Sequence, residues 1–134
     1  MSNHVRILAV EDETAVAQLL ALVLSGSTSR VTNVCNGEEA LAKIAIDPKP
    51  FEIVITDHNM PRMTGLELVR ELRAREFGGK IVVLSAHLTQ ENVQAYKELG
   101  VDLMLSKPFD VDELRRAIDV LVKEVPTWAE RSSI

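Results

Sequence analysis

Residues 51–65 read FEIVITDHNMPRMTG, and they combine an apolar run, a polar loop and the start of a helix. The run at 51–56 has the continuous apolar character of a strand that is buried on both faces. Asp57 follows this run and opens a loop that Pro61 stiffens. Thr64 then stands three residues before Glu67, which is the pattern of a helix capping box. A buried strand, a loop and a helix in this order form the repeating unit of an α/β fold.

The same unit recurs along the whole chain. Asn36 and Asp110 repeat the capping pattern, and Thr89 and Gly100 are predicted to begin and end a further helix. Strands are predicted near residues 5–10, 30–35, 51–56, 80–84 and 101–105, and helices near residues 13–25, 37–46, 65–76, 89–99 and 110–124. Right-handed crossovers between parallel strands then give one doubly wound sandwich of five strands and five helices.

Length and composition limit the possible classes of protein. The 134 residues suffice for one domain with a real core, which must be aliphatic because aromatic residues make up only 4%. A net charge of −5 argues against direct binding of nucleic acid, whose phosphates are bound by basic patches. We expect residues 1–125 to form the domain and residues 126–134 a short tail.

The same data indicate the cellular setting. Cys35 is the single cysteine, so that the chain has no internal disulfide and fits a reducing compartment. Residues 1–10 lack the long apolar core of a signal peptide, and no apolar stretch approaches the length that spans a membrane. We therefore expect a cytoplasmic protein without a membrane partner.

Polar side chains follow four of the predicted strands. Glu11 and Asp12 follow the first strand, Asp57 the third, Ser85 the fourth and Lys107 the fifth. The carboxyl ends of parallel strands meet at one edge of a sheet, where open α/β sheets form their ligand crevice. Three carboxylates, a hydroxyl and a lysine in such a crevice suit a divalent cation and a phosphoryl group.

Each of these residues alone has an ordinary structural interpretation. Asp57 could cap a turn, and Ser85 could do the same. Glu11 and Asp12 could favour a helix dipole, although two adjacent carboxylates also repel each other unless a cation lies between them. Lys107 could be a surface lysine. The functional interpretation is preferred because all five residues are predicted at one edge of the sheet.

These positions carry a resemblance to a known family. Over about residues 5–124 the chain resembles a response-regulator receiver domain of the single-domain chemotaxis type. The matching residues are Glu11-Asp12, Asp57 with Met60-Pro61 and Gly65, Ser85-Ala86, and Lys107-Pro108-Phe109. The resemblance implies a flavodoxin-like fold, in which a five-stranded parallel sheet has the strand order 2-1-3-4-5 and carries five helices.

The resemblance also implies a role for the residues that handle phosphate. Asp57 is expected to accept a phosphoryl group from a phosphohistidine on a sensor histidine kinase or a histidine phosphotransfer protein. Lys107 is expected to pair with a phosphoryl oxygen, and Ser85 to close onto that group after transfer. The chain would then be a signalling protein rather than an enzyme, with a downstream protein target that the sequence does not name. A phosphorylation-dependent dimer is compatible with this role.

A Mg²⁺ site is implied by the same resemblance. Asp12 and Asp57 are expected to bind the metal through their carboxylates, and Glu11 to hold it directly or through water. The backbone carbonyl of Asn59 would complete the protein ligands. Hard oxygen ligands of this kind suit Mg²⁺.

One position departs from the pattern of the family. The residue three before the lysine is usually an aromatic that turns inward after phosphorylation, and here it is Met104. Methionine is flexible and apolar, so that it could enter the same space without an aromatic's hydrogen bond. Partial switching through Ser85 and Met104 is expected. His58 and His87 flank the site in sequence, and His58 is expected to face solvent.

The first predicted helix supplies an expected docking surface. Val16, Leu19, Leu20 and Val23 recur at helical spacing and are predicted to face the core. Leu22 lies on another face of this helix and is expected to be exposed. The resemblance to receivers implies that the phosphodonor protein docks on this helix.

Three other interpretations compete with the phosphoacceptor switch. Met104 leaves room for a receiver that only docks, although the set of Asp57 and Lys107 argues against it. A phosphate-ester hydrolase would need Asp-x-Asp after its first strand, and here His58 and Asn59 follow an aspartate of the third strand. The chain could also be the receiver part of a longer regulator.

Overall fold

The computed structural model describes residues 4–26 and 28–124. The predicted tail at 126–134 and the last residue of the predicted domain lie outside these residues. Strands and helices alternate along the described chain. The strands are β1 (Val5–Val10), β2 (Ser29–Val34), β3 (Ile53–Asp57), β4 (Lys80–Ser85) and β5 (Leu103–Ser106). The helices are α1 (Thr14–Leu24), α2 (Gly37–Ile46), α3 (Gly65–Ala74), α4 (Gln90–Glu98) and α5 (Val111–Glu124).

The five strands form one parallel sheet in the order β2-β1-β3-β4-β5. This order confirms the predicted flavodoxin-like fold. The strand ends are level, because Asp57 pairs with Leu84 across β3 and β4, and Ser85 pairs with Ser106 across β4 and β5. All carboxyl ends therefore lie at the same edge of the sheet.

A separate apolar core covers each face of the sheet. Leu8 and Val10 of β1 face the layer of α2, α3 and α4, whereas Ile7 and Ala9 face the layer of α1 and α5. The central strands are thus buried on both sides, which explains their continuous apolar sequence. Among the described residues, no helix combines the length and apolarity that crossing a bilayer requires.

The predicted ends of β2, β3, β4 and β5 differ from the observed ends by one or two residues. β3 begins at Ile53 and includes Asp57 itself, and β5 begins at Leu103. Before β5, the side chain of Asp102 accepts a hydrogen bond from the N–H of Ile81 at 2.9 Å. The main-chain N–H of Asp102 also donates to the carbonyl of Ile81 at 2.9 Å, so that its side chain replaces one of the two backbone hydrogen bonds at the start of β5.

The predicted inner face of α1 was wrong at Leu19, which is 36% exposed. Leu20 and Leu24, one turn apart, are the buried residues of this helix, and Val16 and Val23 pack beside them. The buried face of α1 is narrow because the helix contacts the sheet along one line of side chains, and Leu19 lies beside that line. Leu22 is 79% exposed, as predicted.

Candidate functional site

A cluster of three carboxylates lies at the carboxyl edge of the sheet. Glu11 and Asp57 are buried, with 3% and 6% exposure, whereas Asp12 is exposed. One carboxylate oxygen from each lies within 4.8 Å of the others. The end of β1 supplies Glu11, whose N–H donates to the carbonyl of Val34 at 3.1 Å. Like charges this close repel one another, so that the cluster favours a bound cation.

Lys107 is the cation that the chain itself supplies to this cluster. Its Nζ lies 2.9 Å from Oε1 of Glu11 and 3.3 Å from Oδ2 of Asp57. Its main-chain N–H donates to the carbonyl of Ser85 at 2.8 Å, which fixes the start of the loop after β5. A mostly buried ammonium therefore bridges two buried carboxylates that are distant in sequence.

Burial and charge act in opposite directions on these groups. Burial raises the pKa of Glu11, although Lys107 and the N–H of Glu13 act to lower it. Burial alone would lower the pKa of Lys107, but its hydrogen bond to Glu11 and the charge of Asp57 raise it overall. The ammonium is therefore held in its charged form, while the raised pKa of Glu11 reflects the cost of burying a carboxylate.

The two oxygens of Asp57 have different surroundings. Oδ1 accepts a hydrogen bond from the N–H of His58 at 2.8 Å, whereas Oδ2 faces the ammonium of Lys107. One oxygen is thus oriented by the main chain, and the other is directed toward a movable cation. The Asp57 carboxylate is therefore held in one orientation, with one oxygen facing a positive charge.

Ser85 lies at the end of β4, and Met104 lies in the neighbouring strand β5. Both side chains line one small cavity of about 280 Å³, together with Leu88 and Val93. Ser85 is buried, and its Oγ bonds the main chain of His87, donating to the carbonyl at 3.1 Å and accepting from the N–H at 3.2 Å. Met104 is half-buried and packs on the core beneath α4.

A family profile described as the response regulator receiver domain matches residues 7–119. The chain belongs to this family. This receiver domain is 34% identical over 129 residues to the transcriptional regulatory protein KdpE of Staphylococcus aureus, a match covering 96% of the chain and 54% of that protein. It is 32% identical over 120 residues to the cell cycle response regulator CtrA of Brucella ovis, a match covering 88% of this chain and 50% of that protein. The chain thus spans about half the length of these curated relatives.

Solved structures of the same fold include a chemotaxis protein and a CheY-like receiver domain protein. The chemotaxis protein CheY4 of Vibrio cholerae matches with a TM-score of 0.79 and 30% identity, covering 88% of this chain and 98% of that one. A CheY-like receiver domain protein of Methanospirillum hungatei matches with a TM-score of 0.82 and 26% identity, covering 90% of this chain and 95% of that one. The chain is therefore a receiver domain of the kind found in two-component response regulators.

His58 of this receiver does not face solvent, and that prediction was wrong. The residue is 9% exposed, and its Nδ1 lies 2.5 Å from Oη of Tyr96 on α4. Burial lowers the pKa of the ring, with the charge of Asp57 acting in the other direction. His87, in contrast, is exposed. The buried polar partner on α4 could not be found from sequence, because 38 residues separate it from His58.

The positions of Asn59 and Asp12 leave their predicted roles open to experiment. Asn59 is exposed, two residues after Asp57, and its role as a backbone ligand stays a prediction. The residue before α1 is Glu13, so that Asp12 does not occupy the capping position of this helix. The carboxylate of Asp12 is therefore not committed to capping the helix.

Gly65 occupies the tightest contact beside the site. A Cβ at this position would lie 2.4 Å from the carbonyl oxygen of Asp57 and 2.9 Å from Oη of Tyr96. The N–H of Gly65 also donates to the carbonyl of His58 at 2.8 Å. The first residue of α3 must therefore be glycine for the helix to approach the end of β3 this closely.

Replacing Gly65 with Ala is expected to destabilise the receiver by about 1–3 kcal/mol, because the new methyl group meets backbone atoms that cannot move aside. The melting temperature should fall by several degrees in a thermal unfolding measurement. Gly78→Ala is the matched control, since a Cβ there would meet nothing within 4 Å. Equal melting temperatures for the two variants would contradict this account of Gly65.

Proposed function

We propose that this receiver domain accepts a phosphoryl group on Asp57 from a phosphohistidine of a partner protein. The observation that carries the proposal is the ammonium of Lys107 between the buried carboxylates of Glu11 and Asp57, within 2.9 and 3.3 Å of their oxygens. Phosphoryl transfer depends mainly on positioning and on neutralising the charge of the transferred group. A buried nucleophile beside a movable cation supplies both.

In the proposed step, a carboxylate oxygen of Asp57 forms a bond to phosphorus, and the bond between phosphorus and the donor imidazole nitrogen breaks. The imidazole keeps the electron pair of that bond and takes a proton. Lys107 leaves Oδ2 of Asp57 and pairs with an oxygen of the transferred group. Ser85 exchanges its hydrogen bonds with His87 for one to the same group.

The donor set at this edge fits Mg²⁺. Three carboxylates offer oxygens within 4.8 Å of one another, and hard oxygen ligands suit this cation. Glu11, Asp12 and Asp57 would hold it, with the backbone carbonyl of Asn59 as the further ligand. When bound, Mg²⁺ would neutralise charge on the oxygens of the phosphoryl group.

The proposed partners follow from this chemistry. The donor is a sensor histidine kinase or a histidine phosphotransfer protein, and the receiver acts as a signalling protein rather than as an enzyme with a turnover substrate. A downstream protein target, and not nucleic acid, reads the phosphorylated form, consistent with the net charge of −5. Residues 1–125 as the domain, the cytoplasmic location and a phosphorylation-dependent dimer stay predictions.

Incubation with acetyl phosphate and Mg²⁺, followed by mass spectrometry of the intact chain and of its peptides, tests the proposal. We expect one added phosphoryl group, located on the peptide that contains Asp57. No added mass, or a phosphoryl group on a peptide without Asp57, would contradict it.

Leu22 on α1 is expected to contact the phosphodonor protein. Its side chain is 79% exposed beside the partly exposed Leu19, so that α1 presents an apolar patch. Leu22→Glu should slow transfer from a phosphorylated histidine phosphotransfer domain about ten-fold or more, since a charge left buried and unpaired in an interface costs about 2 kcal/mol or more. Labelling by acetyl phosphate should stay unchanged.

Ile46→Glu on α2 is the matched control, because Ile46 is equally exposed, at 78%. Its rates with both donors should equal those of the wild type. If Leu22→Glu receives phosphate from the protein donor at the wild-type rate, this docking surface is wrong.

A further inference from the structure

The main chain of His58 connects the proposed phosphoacceptor to its surroundings. Its N–H is shared between Oδ1 of Asp57, at 2.8 Å, and the carbonyl of Leu84, at 3.0 Å. Its carbonyl accepts from the N–H of Gly65 at 2.8 Å. A change in the carboxylate of Asp57 therefore alters the balance of hydrogen bonds at the next residue.

The side chain of His58 extends the connection to α4. Its ring meets the ring of Tyr96 edge to face, with centroids 5.6 Å apart and planes at 77°. Nδ1 lies 2.5 Å from Oη of Tyr96, and Nε2 lies 3.2 Å from Nδ2 of Asn92. Asn92 and Tyr96 are four residues apart, so that both reach the loop from the same face of the helix.

These contacts are polar and lie in an apolar layer. Tyr96 is completely buried, and its side chain belongs to the core beneath α2, α3 and α4. In a neutral ring, Nε2 accepts from the amide of Asn92 while Nδ1 donates to Tyr96, which matches both contacts. A buried hydroxyl cannot exchange such a partner for water, so that a displaced ring must carry α4 with it or leave the hydroxyl unsatisfied.

We propose that the ring of His58, bonded to Tyr96 and Asn92, transmits the phosphorylation state of Asp57 to α4. This inference rests on the proposed function of Asp57 as phosphoacceptor. Once an oxygen of Asp57 carries a phosphoryl group, the side chain is a mixed anhydride instead of a carboxylate and Oδ1 becomes a weaker acceptor, so that the N–H of His58 shifts toward Leu84. The ring moves with its main chain, and α4 follows through its two hydrogen bonds.

The outer face of α4 is the surface that such a movement would present differently. Asn92 and Tyr96 point toward His58, and the opposite side of the helix is exposed. Its exposed side chains are Gln90, Glu91, Gln94, Lys97 and Glu98. This route is separate from the cavity lined by Ser85 and Met104, and it gives the receiver a hydrogen-bonded coupling where the usual aromatic of the family is absent.

Amide hydrogen exchange of the whole chain tests the proposal. Peptides covering Gln90–Glu98 are measured with and without excess acetyl phosphate and Mg²⁺, and the mass of the intact chain gives the phosphorylated fraction. The wild type should show a changed exchange rate in α4 on phosphorylation. Two variants should lose this change while remaining phosphorylated. Tyr96→Phe removes only the hydroxyl that contacts His58, and Asn92→Ala removes the half-exposed amide that contacts the same ring.

Gln94→Ala is the matched control on the exposed face of α4, and its response should equal that of the wild type. A wild-type response in both Tyr96→Phe and Asn92→Ala would overturn the proposal, as would an unchanged α4 in the fully phosphorylated wild type. If Tyr96→Phe does not fold, Asn92→Ala decides alone. Absence of phosphoryl mass on the wild type would instead refute the proposed function of Asp57, and with it this inference.

Discussion

Asp57→Asn is expected to reduce phosphorylation by acetyl phosphate about a thousand-fold or more, because the variant lacks the nucleophilic carboxylate. The amide keeps the size of the side chain, and its oxygen can still accept from the N–H of His58. The fold should therefore persist, and the loss should appear in the rate of labelling alone. Intact mass measured against time, with circular dichroism as the check of folding, gives the result.

Asp119→Asn is the matched control for this variant. Asp119 is an exposed aspartate on α5, away from the carboxyl edge of the sheet, and its replacement should leave the labelling rate unchanged. Labelling of Asp57→Asn at the wild-type rate and on the same peptide would show that the nucleophile is a different residue.

Mg²⁺ is expected to raise the melting temperature of the unphosphorylated receiver, since a ligand that binds only the folded state stabilises it by about 2.7 kcal/mol at a hundred times its Kd. The cation would relieve the repulsion among Glu11, Asp12 and Asp57. Asp12→Ala should lose most of this increase. Without metal, the same variant should melt higher than the wild type, because one of three like charges is removed.

Thermal unfolding over a series of Mg²⁺ concentrations measures both effects. Asp119→Ala removes an exposed carboxylate of α5 that does not belong to the cluster, and it should respond to Mg²⁺ as the wild type does. A metal-induced increase of wild-type size in Asp12→Ala would place the binding site outside the carboxylate cluster.

The strand ends are the part of the site that could be predicted without coordinates. Buried parallel strands have a continuous apolar sequence. The residue that follows each apolar run is then expected at the carboxyl edge of the sheet. For this reason the sequence predicted that Asp57, Glu11 and Lys107 lie together. In the structure, Nζ of Lys107 lies within 3.3 Å of a carboxylate oxygen of each of the two acids. The capping pattern at Thr64 likewise predicted the start of α3.

Side-chain directions outside this pattern were not accessible from sequence. Leu19 has the spacing of a core residue, but Leu20 and Leu24 are the residues of α1 that are buried, and Leu19 beside them is partly exposed. The bounds of β3 and β5 depend on hydrogen bonds to neighbouring strands, which local preference does not encode. Met104 could be recognised as an unusual residue, whereas the cavity that it shares with Ser85 depends on the packing of α4.

The amino-acid sequence by itself determined the parallel sheet, the order of polar residues at its carboxyl edge and the chemistry that these residues can perform. Each of these properties follows from local periodicity and from the fixed geometry of a parallel sheet. The tertiary structure alone decided that His58 is buried and bonded to Tyr96, and that Gly65 must lack a side chain. Such contacts join distant segments at sub-ångström tolerance, and only the packing of helices on the sheet sets those distances.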